Sequence, residues 1–171
     1  MKHSKIYEFV LAAMFAALAF AATNIVHIPI PATNGYIHLG DCVVLLGAFL
    51  LGPSYGAAAG GIGSALADIL SGYALYAPGT FVIKAAVAVV AGLLMHALSH
   101  RTKAAPVLAG ICGEFIMIFG YFVYESIVLG YGLAATGSIA GNAVQAVAGV
   151  ILSVLLYVAM IRVPMIKKMA S

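Results

Sequence analysis

Asn34-Gly35-Tyr36-Ile37-His38-Leu39-Gly40-Asp41 opens a stretch that runs past Asp68 and closes at Lys84. Its three charged residues, Asp41, Asp68 and Lys84, lie in a chain of 171 residues that is 64% hydrophobic and only 8% charged. Charges inside so apolar a chain are costly and are retained for ion pairing, ligand binding or transport. Around them, a mean hydropathy of +1.14 excludes an ordinary water-soluble domain, whose helices are apolar along one stripe only.

Working outward, hydrophobic segments fall at about 6–23, 41–51, 56–71, 80–98, 107–129 and 138–161. They predict an all-α membrane protein, with six transmembrane helices in one bundle and residues 1–171 forming a single membrane domain. Lys2 and Lys5, then Arg101 and Lys103, then Arg162, Lys167 and Lys168 all fall on one side of that arrangement. The positive-inside rule makes that side, and both termini, cytoplasmic. The net charge of +3 therefore reports topology and gives no sign of a nucleic-acid partner. The N-terminal lysines and Ala19-Phe20-Ala21 imitate a secretory signal, but the apolar run is long enough to span. Cys42 and Cys112 fall at different depths, so two buried, reduced thiols are expected.

The connection from Asn24 to Gly40 cannot be one helix, because Pro29 and Pro31 each lack an amide donor and restrict the residue before. It is nevertheless apolar, with Ile25, Val26, Ile28, Ile30 and Ile37, so it should fold back over the bundle. The second helix, 41–51, reaches about 16 Å against a hydrocarbon core of about 30 Å. A short helix beneath a folded-in loop leaves room for a lidded cavity. Gly52-Pro53-Ser54-Tyr55-Gly56 reads as a tight turn, and the third helix presents the small face Gly56, Gly60, Gly61, Gly63 and Ser64.

Sorted by depth, the polar residues concentrate in the outer half. His38, Asp68, Tyr73, Tyr76, Lys84, Tyr121, Glu125, Asn142 and Gln145 form a candidate ligand-binding set, in which acids and amides hydrogen-bond a small polar molecule and phenols stack on a ring. A purely structural polar cluster is the other reading. Lys84 calls for a carboxylate, and Asp68 or Glu125 lies at similar depth. Asp41 is placed to cap the second helix, and Glu114 falls nearer the inner side. On the first helix, Ala12/Ala16 and Ala13/Ala17 are small-x-x-x-small pairs that admit close helix packing, either within the bundle or against another membrane protein.

Catalytic readings find little support. Gly52-Pro53-Ser54-Tyr55-Gly56 matches G-x-S-x-G, with His96 and His100 on the same side. A hydrolase elbow needs a strand before the serine and an acid to orient the histidine, and neither is present. Gly60-Gly61-Ile62-Gly63 is not a dinucleotide fingerprint and no phosphate-binding P-loop occurs. His27, His38, His96 and His100 lack metal-ligand spacing. No enzyme activity, cofactor or metal is expected.

The run Gly35-Tyr36-Ile37-His38-Leu39-Gly40-Asp41, with Leu51-Gly52-Pro53, Gly60-Gly61-Ile62-Gly63-Ser64-Ala65-Leu66-Ala67-Asp68, Gly72-Tyr73, Tyr76-Ala77-Pro78 and Ile83-Lys84, resembles the substrate-binding S components of energy-coupling factor (ECF) transporters. The resemblance implies a chain in a bacterial plasma membrane that binds a small-molecule vitamin on its outer side. It implies that Ala12, Ala13, Ala16 and Ala17 dock on the transmembrane coupling subunit, which works with two ABC-type ATPases, and that the loop between the first two helices closes the site. The G-Y-I-H-L-G-D type is similar to the subgroup linked to pyridoxine, hydroxymethylpyrimidine and riboflavin. A single-ring B6 vitamer or hydroxymethylpyrimidine is the expected cargo, with riboflavin or another vitamin as an alternative. Two other readings stand beside it: a self-sufficient ion-coupled transporter using Asp68, Lys84 and Glu125, and an intramembrane hydrolase using Ser54.

Overall fold

The computed structural model describes residues 5–26, 28–30 and 33–163. Lys2, Lys167 and Lys168, which carried part of the orientation argument, lie outside the described residues, as do His27 and Pro31. The elements are α1 (Lys5–Ile25), β1 (Ile28–Ile30), β2 (Gly35–Ile37), α2 (Gly40–Leu70), α3 (Ala77–Leu98), α4 (Ala105–Val123) and α5 (Thr136–Met160). A π-helical turn, Tyr124–Val128, and a 3-10 turn, Gly132–Ala135, join α4 to α5. Among the described residues, five helices are long and apolar enough to cross a membrane.

The two helices expected at 41–51 and 56–71 are the two limbs of the longest element, α2, which is broken at one residue between them. Gly52 has φ 78° and ψ −179°, a region that essentially only glycine enters, and Pro53 supplies no amide to bridge the break. The two limbs double back on each other. A Cβ at Gly56 would stand 2.8 Å from Ala48 Cα, and one at Gly60 would stand 2.9 Å from Val44 Cγ1. The small face read in the sequence is thus used for backbone contact between the limbs and with α1, where a Cβ at Gly63 would meet the Ala16 carbonyl oxygen at 2.3 Å. Where lipid tails are as apolar as leucine, such close packing is a main source of helix association.

The connection between α1 and α2 departs from the all-α expectation. It folds as an antiparallel hairpin, with Ile28 opposite Ile37 and Ile30 opposite Gly35. Asn34 turns the chain at φ 52°, a conformation that asparagine tolerates better than most residues. The signal was present in Ile28 and Ile30 alternating before Asn34-Gly35, but a strand of three residues is too short to stand out. As expected of an apolar loop, the hairpin folds onto the bundle: Ile37 Cδ1 and Ile30 Cδ1 would lie 3.0 and 3.1 Å from a Cβ at Gly141 of α5.

α2 packs on α1, α3 and α5, and α4 packs on α3 and α5. Val44, Leu45, Val87, Ala88, Ala91 and Met117 form the centre of the core. Cys42 is buried as expected, whereas Cys112 is exposed. It shares the exposed face of α4 with Phe115 and Phe119, where a thiol behaves as a small apolar group.

Candidate functional site

At the hairpin end of the bundle, β1, β2, α2, α3, α4 with its π turn, and α5 converge on a small cavity. Strand alternation turns Tyr36 and His38 to one face of the chain, and both line it. Asp68 enters from the end of α2, Tyr76 and Thr80 from the start of α3, Tyr121 from α4, Glu125 from the π turn, and Asn142 and Gln145 from α5. The wide turn at Glu125 is a form that recurs at functional sites. Of the nine residues expected to bind ligand, seven meet here: His38, Asp68, Tyr76, Tyr121, Glu125, Asn142 and Gln145. The sequence reading missed Ile30, Gly35, Tyr36 and Thr80. The i, i+2 relation of Tyr36 to His38 was the available clue for the first of these side chains.

The walls are held by a polar network. Tyr36 donates its hydroxyl to Asp68 Oδ1 at 2.6 Å and packs its ring at a 44° tilt against Tyr73, with centroids 4.4 Å apart. Tyr76 donates to the Thr33 carbonyl at 2.5 Å and stands 3.3 Å from Glu125 Oε1, while Ser138 donates to Glu125 Oε2. Thr80 Oγ1 and Tyr121 Oη are 2.9 Å apart. Burial, followed by the carboxylate nearby, raises the hydroxyl pKa of Tyr36 above its ordinary value. Tyr76 is raised as well, chiefly by burial. Both phenols therefore remain protonated donors at neutral pH.

Gln145 ties the hairpin to the bundle interior. Its Oε1 accepts the His38 backbone N–H at 2.8 Å, and its Nε2 donates to Asp41 Oδ2 at 2.6 Å. The Gly40 N–H donates to His38 Nδ1 at 3.0 Å. Gly40 is needed there, because a Cβ would fall 2.2 Å from Thr23 Oγ1 and 2.9 Å from His38 Nδ1.

Two expected site residues lie elsewhere. Tyr73 lines a separate opening with Asn34 and Tyr131, and its ring meets that of Tyr36, which lines the cavity. Lys84 is fully buried below the cavity and donates to Asp41 Oδ1, with its ammonium 5.2 Å from the Tyr121 ring centroid. The partner expected for Lys84, Asp68 or Glu125, is therefore corrected to Asp41. Asp41 in turn makes no capping bond at the start of α2. Its first-turn position faces α3 and α5, where an ammonium and an amide satisfy both of its oxygens. Glu114, expected nearer the inner side, is buried beside this pair. A Cβ at Gly149 would lie 3.1 Å from Asp41 Cβ and 3.4 Å from Glu114 Oε1. Among the described residues, neither Glu114 oxygen has a hydrogen-bond partner.

Two other expectations concern the rest of the surface. Ala12, Ala13, Ala16 and Ala17 line an apolar groove of about 600 Å³ between α1 and the second limb of α2, together with Phe9, Tyr55 and Ile62. Ala12 is buried and Ala16 partly so, while Ala13 and Ala17 are exposed, so the alanine face serves internal packing and an open surface together. At the opposite end, His96 and His100 line a cavity with Gly52 and Pro53, whereas Ser54 is exposed outside that lining. No group of three or more metal-ligating side chains occurs among the described residues.

A family model for the ECF-type riboflavin transporter S component matches residues 3–162, nearly the whole chain. The chain belongs to the ECF S-component family. The S component is 38% identical over 130 residues to a Pyrococcus woesei protein described as "Uncharacterized protein in gap 3'region", covering 76% of this chain and 85% of that one. It is 29% identical over 154 residues to the thiamine precursor transporter HmpT of Lactococcus lactis subsp. cremoris, covering 90% of this chain and 87% of HmpT. Its fold matches the solved structure described as "Structure and mechanism of the S component of a bacterial ECF transporter", with a TM-score of 0.76 and 20% identity over 93% of this chain and 98% of that one. The resemblance drawn from the G-Y-I-H-L-G-D run thus holds at the level of family and fold, and the S component is a vitamin-transporter membrane protein.

Proposed function

We propose that this S component binds a small single-ring vitamin precursor, hydroxymethylpyrimidine ahead of a B6 vitamer, in the hairpin-end cavity and delivers it inward with an ECF module. The observation that carries this reading is the convergence of nine polar residues, from the hairpin and from α2, α3, α4 with its π turn and α5, on one cavity beneath the hairpin. The similarity to HmpT, named as a thiamine precursor transporter, supports the choice of cargo. Asp68, Glu125, Asn142 and Gln145 supply polar contacts and Tyr36, Tyr76 and Tyr121 supply aromatic faces. Lys84 acts from below by holding Asp41, and through it Gln145. The hairpin end faces outward, α2 counts as two crossings to give six, and both termini are cytoplasmic, in line with Lys5, Arg101, Lys103 and Arg162 at the other end.

The cavity holds about 20 Å³, roughly the room of one water, whereas small-molecule sites usually offer about 300 Å³ or more. In this reading the hairpin lifts for ligand entry, and the His38–Gln145, Tyr36–Asp68 and Tyr76–Thr33 hydrogen bonds that hold it to the bundle yield and re-form. A single ring needs less opening than the three fused rings of riboflavin, which favours the smaller cargo over the one in the family's name. Calorimetry on the purified protein against a panel of B vitamins and precursors tests the reading. Nanomolar-range binding of hydroxymethylpyrimidine without ATP is expected, and uptake only when a coupling module is co-expressed. Silence across the whole panel, or ion-gradient-driven uptake by this chain alone in liposomes, would count against it.

A further inference from the structure

Three ionisable side chains are buried together below the hairpin-end cavity, and their ionised forms would not balance. Asp41 and Lys84 are ion-paired, and Glu114 of α4 lies beside them, only 2% exposed. Both charges act on Glu114, yet the ammonium is bonded to Asp41. Among the described residues, neither Glu114 oxygen has a hydrogen-bond partner. The neighbouring elements offer it little: Cys42 of α2 is within electrostatic reach, and α5 presents Gly149, which has no side chain. Around the adjacent Gly113 lie Leu45, Val87 and Ala91. A carboxylate in such a place is tolerated only with a compensating positive charge. Hard metal cations take about six or more oxygen ligands, and no group of three or more metal-ligating side chains occurs among the described residues. A proton needs one oxygen.

We propose that Glu114 is a proton-binding site, occupied when the hairpin is closed, and that its occupancy is linked to ligand binding in the cavity above. The linkage rests on the vitamin-binding reading; the site does not. Asp41 connects the two, since it holds Lys84 with one oxygen and Gln145 with the other. Gln145 in turn holds the hairpin at the His38 N–H. An ionised Glu114 would repel Asp41 and compete for Lys84, loosening the carboxylate that anchors Gln145. The closed hairpin therefore binds the proton more tightly than the open one, and by reciprocity the proton strengthens ligand binding. Affinity is full at low pH and falls as pH rises and Glu114 ionises. His38, which acts on Asp41, and Cys42 are the neighbouring groups whose ordinary titration lies closest to neutral pH.

Infrared spectroscopy of the purified full-length chain tests the site, because only five carboxyl side chains, Glu8, Asp41, Asp68, Glu114 and Glu125, can contribute. A carboxylic-acid C=O band is expected at neutral pH and should be missing from Glu114→Gln. Absence of any such band from the unaltered protein overturns the site, whether or not the variant folds. A band undiminished in folded Glu114→Gln assigns the proton to another acid and overturns it too. Calorimetry with hydroxymethylpyrimidine, pyridoxine and riboflavin tests the linkage. For whichever binds, affinity for the unaltered protein is expected to fall about tenfold between about pH 6 and about pH 9. Glu114→Gln, an isostere of the neutral acid, should change by less than about threefold over the same range. Equal pH dependence in the two proteins overturns the linkage and leaves the site standing. Failure of all three compounds to bind at either pH overturns the vitamin reading and the linkage with it, while the infrared band still decides the site.

Discussion

Lys84 shows how one residue changes meaning when its surroundings are known. A fully buried ammonium is tolerated only when it is paired, and its partner turns out to be Asp41, whose second oxygen holds Gln145. The chain of contacts therefore runs from α3 through α2 and α5 to the backbone of the hairpin at His38. Removing one member of a buried pair strands the other, at a cost of about 3–5 kcal/mol. Lys84→Met should accordingly lower the thermal unfolding midpoint in detergent sharply. Lys84→Met combined with Asp41→Asn should recover most of that loss, because both charges of the pair are removed together. If the double variant is as unstable as the single one, the pair is not the reason for Lys84. Ligand affinity should stay reduced even in a recovered double variant, since an asparagine holds Gln145 less firmly than a carboxylate does.

At the scale of elements, the break in α2 decides how the polar residues meet. A straight helix from Gly40 to Leu70 would carry Asp41 and Asp68 to opposite ends, about 40 Å apart at 1.5 Å per residue. The reversal at Gly52 brings both ends of α2 back to the hairpin side. Gly52→Ala is expected to cost about 1–3 kcal/mol, the usual strain at such a backbone conformation, and to weaken ligand binding as the limbs splay. Ala58→Leu, on the groove side of the second limb, should leave binding unchanged. Equal stability and affinity in Gly52→Ala and the parent protein would show that the reversal does not depend on glycine geometry.

For the whole molecule, the alanine groove and the ligand cavity are separate surfaces, and they should fail separately. Ala13→Trp and Ala17→Trp place bulk on the exposed positions of the groove without entering the interior. Vitamin binding by the isolated chain is expected to remain within about twofold of the parent, well under the tenfold that 1.4 kcal/mol would bring. Uptake by cells that co-express a coupling module is expected to be lost. Retained uptake would mean that the groove is filled by lipid and that docking occurs elsewhere.

Membrane character, the apolar segments, the basic bias of one end and the family were legible in the residues alone. Hydropathy, charge counts and short motifs are sums over local sequence, and Gly52-Pro53 marks a break wherever it occurs. Most of the polar cavity was legible for a related reason, since depth along a helix follows from counting residues. Depth alone does not say which way a side chain points. Asp41, Asp68 and Glu125 all lie near enough to the level of Lys84, and only the rotation and packing of α2, α3 and α5 selected Asp41. The same packing turned Cys112 outward, drew Glu114 in beside the ion pair, and folded the apolar loop into a hairpin that brings Tyr36 over Asp68. Those contacts join residues up to about a hundred positions apart, as Gln145 and His38 are, and such pairings exist only once the tertiary fold has formed.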